Sequence, residues 1–288
     1  MLTPEEIEER RHFVGASDAA AIVGVNPYSS AWDVYAEKTG VPIDRSAMEE
    51  RFWWGSELEA VVARRFELVT AKPVMCAPPV IHPAHPWLRA SPDRLLVGEP
   101  AGLEIKTVST WEERLWGAEG TDEVPPHVRI QCEVGMACTG LDLWHVAMLG
   151  GSFTMKTYIV RRPAGDYERM LIKALGKFWH EHVLARVEPP MDGSDGARAW
   201  LQAMYPRDTR EVRAAETPEE LDAIEAFIAA KRIETQAKAT ISAAKNNLAR
   251  LIGDAGGLTC SKGLITYRAD KRGRRSFKSK LEGAEEDA

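Results

Sequence analysis

Ala90-Ser91-Pro92-Asp93-Arg94-Leu95-Leu96-Val97, a short turn, then Leu103-Glu104-Ile105-Lys106-Thr107 is the stretch that decides the fold. Two apolar runs flank Gly98-Glu99-Pro100-Ala101-Gly102, the pattern of a β-hairpin. Residues two apart in a strand share a face, so Glu104 and Lys106 project together, away from Leu103, Ile105 and Thr107. A loop over Gly98–Ala101 sets Asp93 across from Lys106, and a slip of one residue would turn Asp93 to the wrong face. One face then holds two carboxylates and an ammonium at the end of an apolar hairpin.

That grouping suits divalent metal chemistry. Mg²⁺ takes oxygen ligands, usually one or two carboxylates with waters and substrate phosphates. A lysine beside such an ion can orient or deprotonate an attacking water. Taken alone, the pattern equally describes a surface hairpin carrying a Glu/Lys pair.

At 288 residues with 28% charged, the chain has room for one large domain, or a domain with an appendage. No apolar run reaches the ~20 residues of a membrane span, and the N-terminus lacks the regions of a signal peptide. The four cysteines show no CxxC spacing and read as reduced thiols of a cytosolic protein. His82/His85 and His180/His182 read as loop or surface residues. The net charge of −6 runs against a nucleic-acid partner, but it is uneven: Arg268 to Lys280 holds seven Lys/Arg and one Asp, followed by acidic residues from Glu282 to Asp287. Local basic surface is what matters for a polyanion.

Thr3-Pro4-Glu5-Glu6 opens a first helix as a capping box, running into Arg10-Arg11. Gly15-Ala16-Ser17 reads as a tight turn into a helix capped by Ser17 or Asp18. Exposed amides, a hydroxyl and nearby arginines there would suit a phosphate; an ordinary capped core helix has the same look. A helix over Ala31–Thr39 buries Trp32 and Tyr35. Another from Gly55 to Phe66 carries a stripe of Leu58, Val62, Phe66 and Val69, with Glu59 at its border. Val74–Ile81 is predicted as one strand, and Thr110-Trp111-Glu112-Glu113 as the cap of a helix containing Trp116. A helix over His127–Cys138, strands Leu143–Leu149 and Phe153–Val160, and a helix from Tyr167 to Ala185 complete a core of α/β layers. In that last helix Met170, Leu171, Ala174, Phe178 and Val183 are predicted to point inward. Domains are therefore expected at 1–190, with a linker over 191–216 and an appendage at 217–288. The appendage holds a long helix with a seam at Ala237, Ile241, Ala244, Leu248 and Leu251, then a two-stranded basic segment over Leu258–Phe277.

In order, the motifs are Arg10-Arg11 with Gly15-Ala16-Ser17-Asp18, Asn26-Pro27-Tyr28, Trp54-Gly55 with Leu58-Glu59, Ser91-Pro92-Asp93, Leu103-Glu104-Ile105-Lys106-Thr107, and Gln131 with Met136-Ala137-Cys138-Thr139-Gly140. Together they resemble the YqaJ-like viral recombinase family, close to the phage lambda-type exonucleases of the PD-(D/E)xK nuclease superfamily. The resemblance implies a restriction-endonuclease-like α/β core, a central mixed sheet flanked by helices, with a C-terminal helical appendage. It implies a metal-dependent 5′-to-3′ exonuclease that resects double-stranded DNA ends for a single-strand annealing protein. The cofactor would be Mg²⁺, two ions per active site, with Mn²⁺ able to substitute. By match, Asp93, Glu104 and the Ile105 carbonyl bind metal, and Glu59 completes the shell. Lys106 positions the water, Gln131 steadies water or scissile phosphate, and Arg10, Arg11 and Ser17 hold a 5′-phosphate. A trimeric ring and a phage or prophage origin in the bacterial cytoplasm are implied by the resemblance alone. Arg268, Lys271, Arg272, Arg274 and Arg275 are expected on DNA backbone. A structure- or site-specific endonuclease and a catalytically idle DNA-binding scaffold are the competing readings.

Overall fold

The structure, a computed structural model, describes residues 4–42 and 46–281. Thr3, the cap expected for the first helix, and the acidic stretch from Glu282 lie outside the described residues. Two compact units divide the chain, Met1–Asp208 and Thr209–Ala288.

The first unit opens with α1 (Pro4–Arg10), β1 (Val14–Gly15), α2 (Ala16–Ile22), α3 (Ala31–Thr39) and α4 (Ser46–Thr70). Strands β2 (Val74–Met75), β3 (Val80–His82), β4 (His85–Ala90), β5 (Arg94–Leu96) and β6 (Ala101–Thr107) follow. After a 3₁₀ turn at Glu112–Leu115 come α5 (Pro126–Thr139), β7 (Leu143–Leu149), β8 (Met155–Arg161), α6 (Tyr167–Lys177) with a π-wound extension at Phe178–Leu184, and α7 (Asp195–Met204). The main sheet has the order β2-β5-β6-β7-β8, and β1-β4-β3 form a smaller one. In the main sheet β6 and β7 run parallel and the other neighbours antiparallel. The central mixed sheet flanked by helices is therefore present.

The sheet sorts its side chains by parity. Leu103 and Ile105 of β6 pack with Val62 and Phe66 of α4. Val146 and Met148 of β7 pack with Val128, Cys132 and Met136 of α5. Ile130, Val134 and Cys138, also on α5, join the core under the small sheet with Leu88 and Ala90. Two stripes at steps of four make α5 apolar on two sides, a buried pillar between the sheets. Trp144 lies between β6 and α5. A Cβ on Gly102 would come within 2.5 Å of its ring, and one on Gly135 within 2.7 Å. Alanine normally favours a helix interior over glycine by ~1 kcal/mol, but here the ring has no room to move. Gly102→Ala and Gly135→Ala are each expected to lower stability by about 1–3 kcal/mol through overpacking, read by urea unfolding. A stabilised Gly135→Ala would show that Trp144 has slack.

Several expectations are corrected. The hairpin pairs Arg94 with Leu103 and Leu95 with Gly102, which sets Asp93 across from Glu104 rather than Lys106. Parallel pairing with β7 claims β6 from Ala101 onward, shifting the register by two and preserving the face. Val74–Ile81 is not one strand: β2 and β3 belong to different sheets, because Pro78 and Pro79 cannot donate to a ladder. α4 starts at Ser46, nine residues before Gly55, and its buried stripe is Val62, Ala63 and Phe66, with Val69 exposed. The Thr110 box does not start a helix. Ser109 and Glu112 cap each other instead, and only the 3₁₀ turn follows. β8 begins at Met155, because Phe153 sits in the left-handed region at φ 59°. In α6 Leu171 and Leu175 are buried while Met170 and Ala174 face solvent. Within 191–216, α7 is amphipathic and packs Trp200 on Trp32, ring centroids 4.7 Å apart.

In the second unit Thr217 caps α8 (Pro218–Ile252), accepting from the Glu220 N–H. Ile241 and Leu251 stay exposed within this unit. The basic segment has three antiparallel strands, not two: β9 (Gly257–Cys260), β10 (Gly263–Ala269) and β11 (Arg275–Leu281). Among the described residues no helix is long and apolar enough to cross a membrane.

Candidate active site

Asp93 ends the turn into β5, and Glu104 and Lys106 sit on the central strand, facing α5. Gln131 comes down from α5 to meet them. The Ile105 N–H donates to Asp93 Oδ2 at 2.6 Å. Lys106 Nζ donates to Glu104 Oε1 (2.7 Å) and to Gln131 Oε1 (2.8 Å), while Gln131 Nε2 donates to Glu104 Oε1 at 2.6 Å. The hairpin groups Asp93, Glu104 and Lys106, and tertiary contacts add Gln131 and close a ring of hydrogen bonds among Glu104, Lys106 and Gln131.

Burial and the facing Glu104 push the Asp93 carboxyl well above the usual carboxylate range, with Lys106 and the Ile105 N–H pulling the other way. Burial lowers the Lys106 ammonium, but Glu104 and Asp93 outweigh it and leave its pKa above the ordinary lysine value. Two facing carboxylates with one shared ammonium are under-neutralised, and a divalent cation would relieve that. Among the described residues no three Asp, Glu, His or Cys side chains already make a metal cage. The donor set fits Mg²⁺ as two carboxylates and a carbonyl completed by water and phosphate. Glu59, expected in the metal shell, is bonded to Arg94 Nη1 at 2.5 Å. Nothing local in the sequence ties Arg94, adjacent to Asp93, to a helix residue 35 positions away.

These groups open into a cleft of about 480 Å³ that also holds Arg10, Ser17, Tyr28, Arg51, Glu112 and His127. Arg11 is not among its lining residues; it pairs with Glu8 at 2.6 Å. Arg10 is built into a buried network: Nη2 meets Asp18 (3.2 Å), Nε meets Glu37 (3.3 Å), and the fully buried Lys38 ammonium meets Asp18 (2.8 Å) and Glu37 (3.0 Å). Burial lowers the Arg10 pKa, and the two carboxylates more than restore it. The α2 cap is Gly15, neither Ser17 nor Asp18. Its N–H donates to Asp18 Oδ2 at 2.9 Å, so that amide is already taken by an anion of the protein itself.

Elsewhere in the cleft lining Arg51 Nη2 donates to Glu112 Oε1 at 2.6 Å, and its guanidinium lies 4.5 Å from the centre of the Tyr28 ring. The Tyr28 hydroxyl also donates to Glu112. Burial pushes the Glu112 carboxyl up, but Tyr28, Ser109 and Arg51 outweigh it and bring it down to about 2. Nothing local in the sequence points to Arg51, because its meeting with Tyr28 and Glu112 joins residues far apart in the chain. Glu133, beside the site in sequence, is buried and does not line the cleft.

In the second unit Arg275 donates to the carbonyls of Tyr267 (3.0 Å), Gly253 (2.6 Å) and Ala255 (2.5 Å). It ties the end of α8 to the sheet, and its donors are committed to the protein. Arg268, Lys271, Arg272 and Arg274 remain exposed.

The chain is similar to known proteins over the span that builds this cleft. The sequence model of the YqaJ-like viral recombinase domain matches residues 7–142. The protein YqaJ of Bacillus subtilis (strain 168), itself uncharacterized, is 32% identical over 210 residues, covering 71% of this chain. The chain spans 64% of that relative's length. Among solved structures, LHK-Exo in complex with dAMP is 23% identical, with 64% of this chain and 94% of that one covered at a TM-score of 0.49; LHK-Exo is an alkaline exonuclease of Laribacter hongkongensis. A phage-related exonuclease of Haemophilus somnus 129PT is 13% identical, covering 61% of this chain and 96% of that one, at a TM-score of 0.41. The span that matches the YqaJ-like viral recombinase domain contains Arg10, Ser17, Glu59, Asp93, Glu104, Lys106 and Gln131.

Proposed function

We propose that the chain is a metal-dependent nuclease that degrades double-stranded DNA from its ends, 5′ to 3′, and hands the exposed strand to a single-strand annealing protein. The observation that carries this reading is the convergence of Asp93, Glu104, Lys106 and Gln131 on one cleft, with Lys106 bonded to both Glu104 and Gln131. Asp93, Glu104 and the Ile105 carbonyl would hold Mg²⁺, and Glu59 would join them on release from Arg94. When bound, such an ion polarises the phosphoryl oxygens and neutralises the charge that develops on them. The remaining work belongs to the chain. Lys106 donates to the attacking water, Gln131 holds Lys106 and Glu104 in place, and burial excludes bulk solvent from the carboxylates. Arg268, Lys271, Arg272 and Arg274 would track the phosphate backbone without reading sequence.

End-labelled linear duplex and closed circular duplex, each incubated with Mg²⁺, test the reading. Release of nucleotides from linear duplex alone is expected. Cleavage of the circle favours an endonuclease, and no cleavage of either favours a DNA-binding scaffold.

Direction comes from the terminal phosphate, held by Arg10 and the Ser17 hydroxyl. Arg10→Ala is expected to reduce the preference for 5′-phosphate over 5′-hydroxyl ends by roughly tenfold, the value of one charge-assisted bond, with metal-dependent cleavage retained. Digestion of the two duplexes side by side measures it. Equal slowing on both ends would make Arg10 a structural partner of Asp18 and Glu37 alone.

A further inference from the structure

We propose that Arg51, held by Glu112 and stacked on Tyr28 in the cleft wall, is a phosphate-binding group that positions the substrate strand beside the Asp93/Glu104 centre. This rests on the nuclease reading above and adds a residue to it. Carboxylates outnumber Lys and Arg among the residues lining the cleft. A polyanion entering it therefore depends on each cation that can still donate. Lys106 already gives two bonds, to Glu104 and Gln131, and Arg10 two, to Asp18 and Glu37, so each has less left to offer a phosphate. Arg51 meets one carboxylate through one nitrogen, and its side chain is 46% exposed against 28% for Arg10 and 26% for Lys106.

The surroundings hold the guanidinium without consuming it. Glu112 fixes one edge, and is itself fixed by the Ser109 N–H at 2.7 Å and by the Tyr28 hydroxyl. Tyr28 covers one face, and His127 meets the Tyr28 ring edge-on at 5.8 Å. A planar fork oriented on two sides presents its remaining N–H groups to a phosphate with little further ordering, which a lysine cannot reproduce. A half-exposed ion pair contributes little to stability, so loss of the pair and loss of the subsite give different signatures.

The test uses the full chain. Binding of a duplex oligonucleotide is followed by fluorescence anisotropy in chelator, between about 50 and 200 mM salt, for wild type, Arg51→Ala and Arg51→Lys. Thermal unfolding is recorded alongside. Arg51→Ala is expected to bind about tenfold to a hundredfold more weakly, with the slope of log affinity against log salt smaller by about one. With Mg²⁺, the loss should fall on KM more than on kcat. Arg51→Lys keeps the charge and the partner Glu112, so it should restore the slope but not the affinity, and it reads the subsite even where Arg51→Ala is unstable. Unchanged slope and KM in Arg51→Ala would overturn the proposal and leave Arg51 a strut between α4 and the 3₁₀ turn. A wild type that binds duplex but does not cut it removes the nuclease reading and leaves the slope comparison to decide this one. A wild type that binds no duplex overturns both.

Discussion

Asp93→Ala and Glu104→Ala are each expected to lower nuclease activity by about 10²–10³-fold, the size of loss seen when one preorganised group that stabilises developing charge is removed from a reacting centre. Each removes half of the two-carboxylate set and leaves the sheet intact, because β5, which follows Asp93, and β6, which carries Glu104, pair through backbone. Stability should move the other way. The Asp93 carboxyl sits well above the usual range, through burial and then Glu104. A carboxyl that binds its proton more tightly in the folded chain costs stability as pH rises through its ordinary value toward the folded one. In chelator at neutral pH, Asp93→Asn should therefore melt higher than wild type, and the difference should shrink as pH falls. Added Mg²⁺ should raise the melting temperature of wild type and not of Asp93→Asn. A fully active Asp93→Ala or Glu104→Ala would end the assignment. A Mg²⁺ shift retained in Asp93→Asn would move the ion elsewhere.

Lys106→Ala is expected to slow cleavage by roughly 10²–10⁴-fold, the range of a positioned proton-transfer group, while the Mg²⁺-dependent rise in melting temperature persists. Glu104 and Asp93 hold the Lys106 pKa above its ordinary value despite burial. In the metal-free chain it is therefore an ammonium that donates, not a base that accepts. Its two acceptors, Glu104 Oε1 at 2.7 Å and Gln131 Oε1 at 2.8 Å, fix where it points. Single-turnover rates at saturating Mg²⁺ isolate the chemical step. An unchanged rate there, with a weakened response to Mg²⁺, would recast Lys106 as a group that only shapes the metal site.

What the sequence by itself determined was which face of the central strand carries Glu104 and Lys106. Alternation along Leu103–Thr107 assigns Glu104 and Lys106 to one side of a strand and Ile105 to the other, because strand geometry is local and its period is two. The boundaries of α3, α5 and β7 were legible because their signals are also local: Ser30 and Gly40 bracket α3, Gly140 ends α5, and Leu143–Leu149 is apolar except for His145, as suits a strand covered on both faces. What only the tertiary structure decided were the pairings across distance. The hairpin register shifted by two because β7 claims β6 from Ala101, a demand the hairpin itself cannot express. Gln131 reaches Lys106 only because Trp144 fills the space between Gly102 and Gly135 and sets the distance from α5 to the sheet. Arg94 on Glu59, Lys38 on Asp18 and Arg51 on Glu112 are likewise charges matched between separate elements. Local propensity carries no record of such matches, since each is fixed by the packing of helices and strands whose faces, not whose partners, are written in the chain.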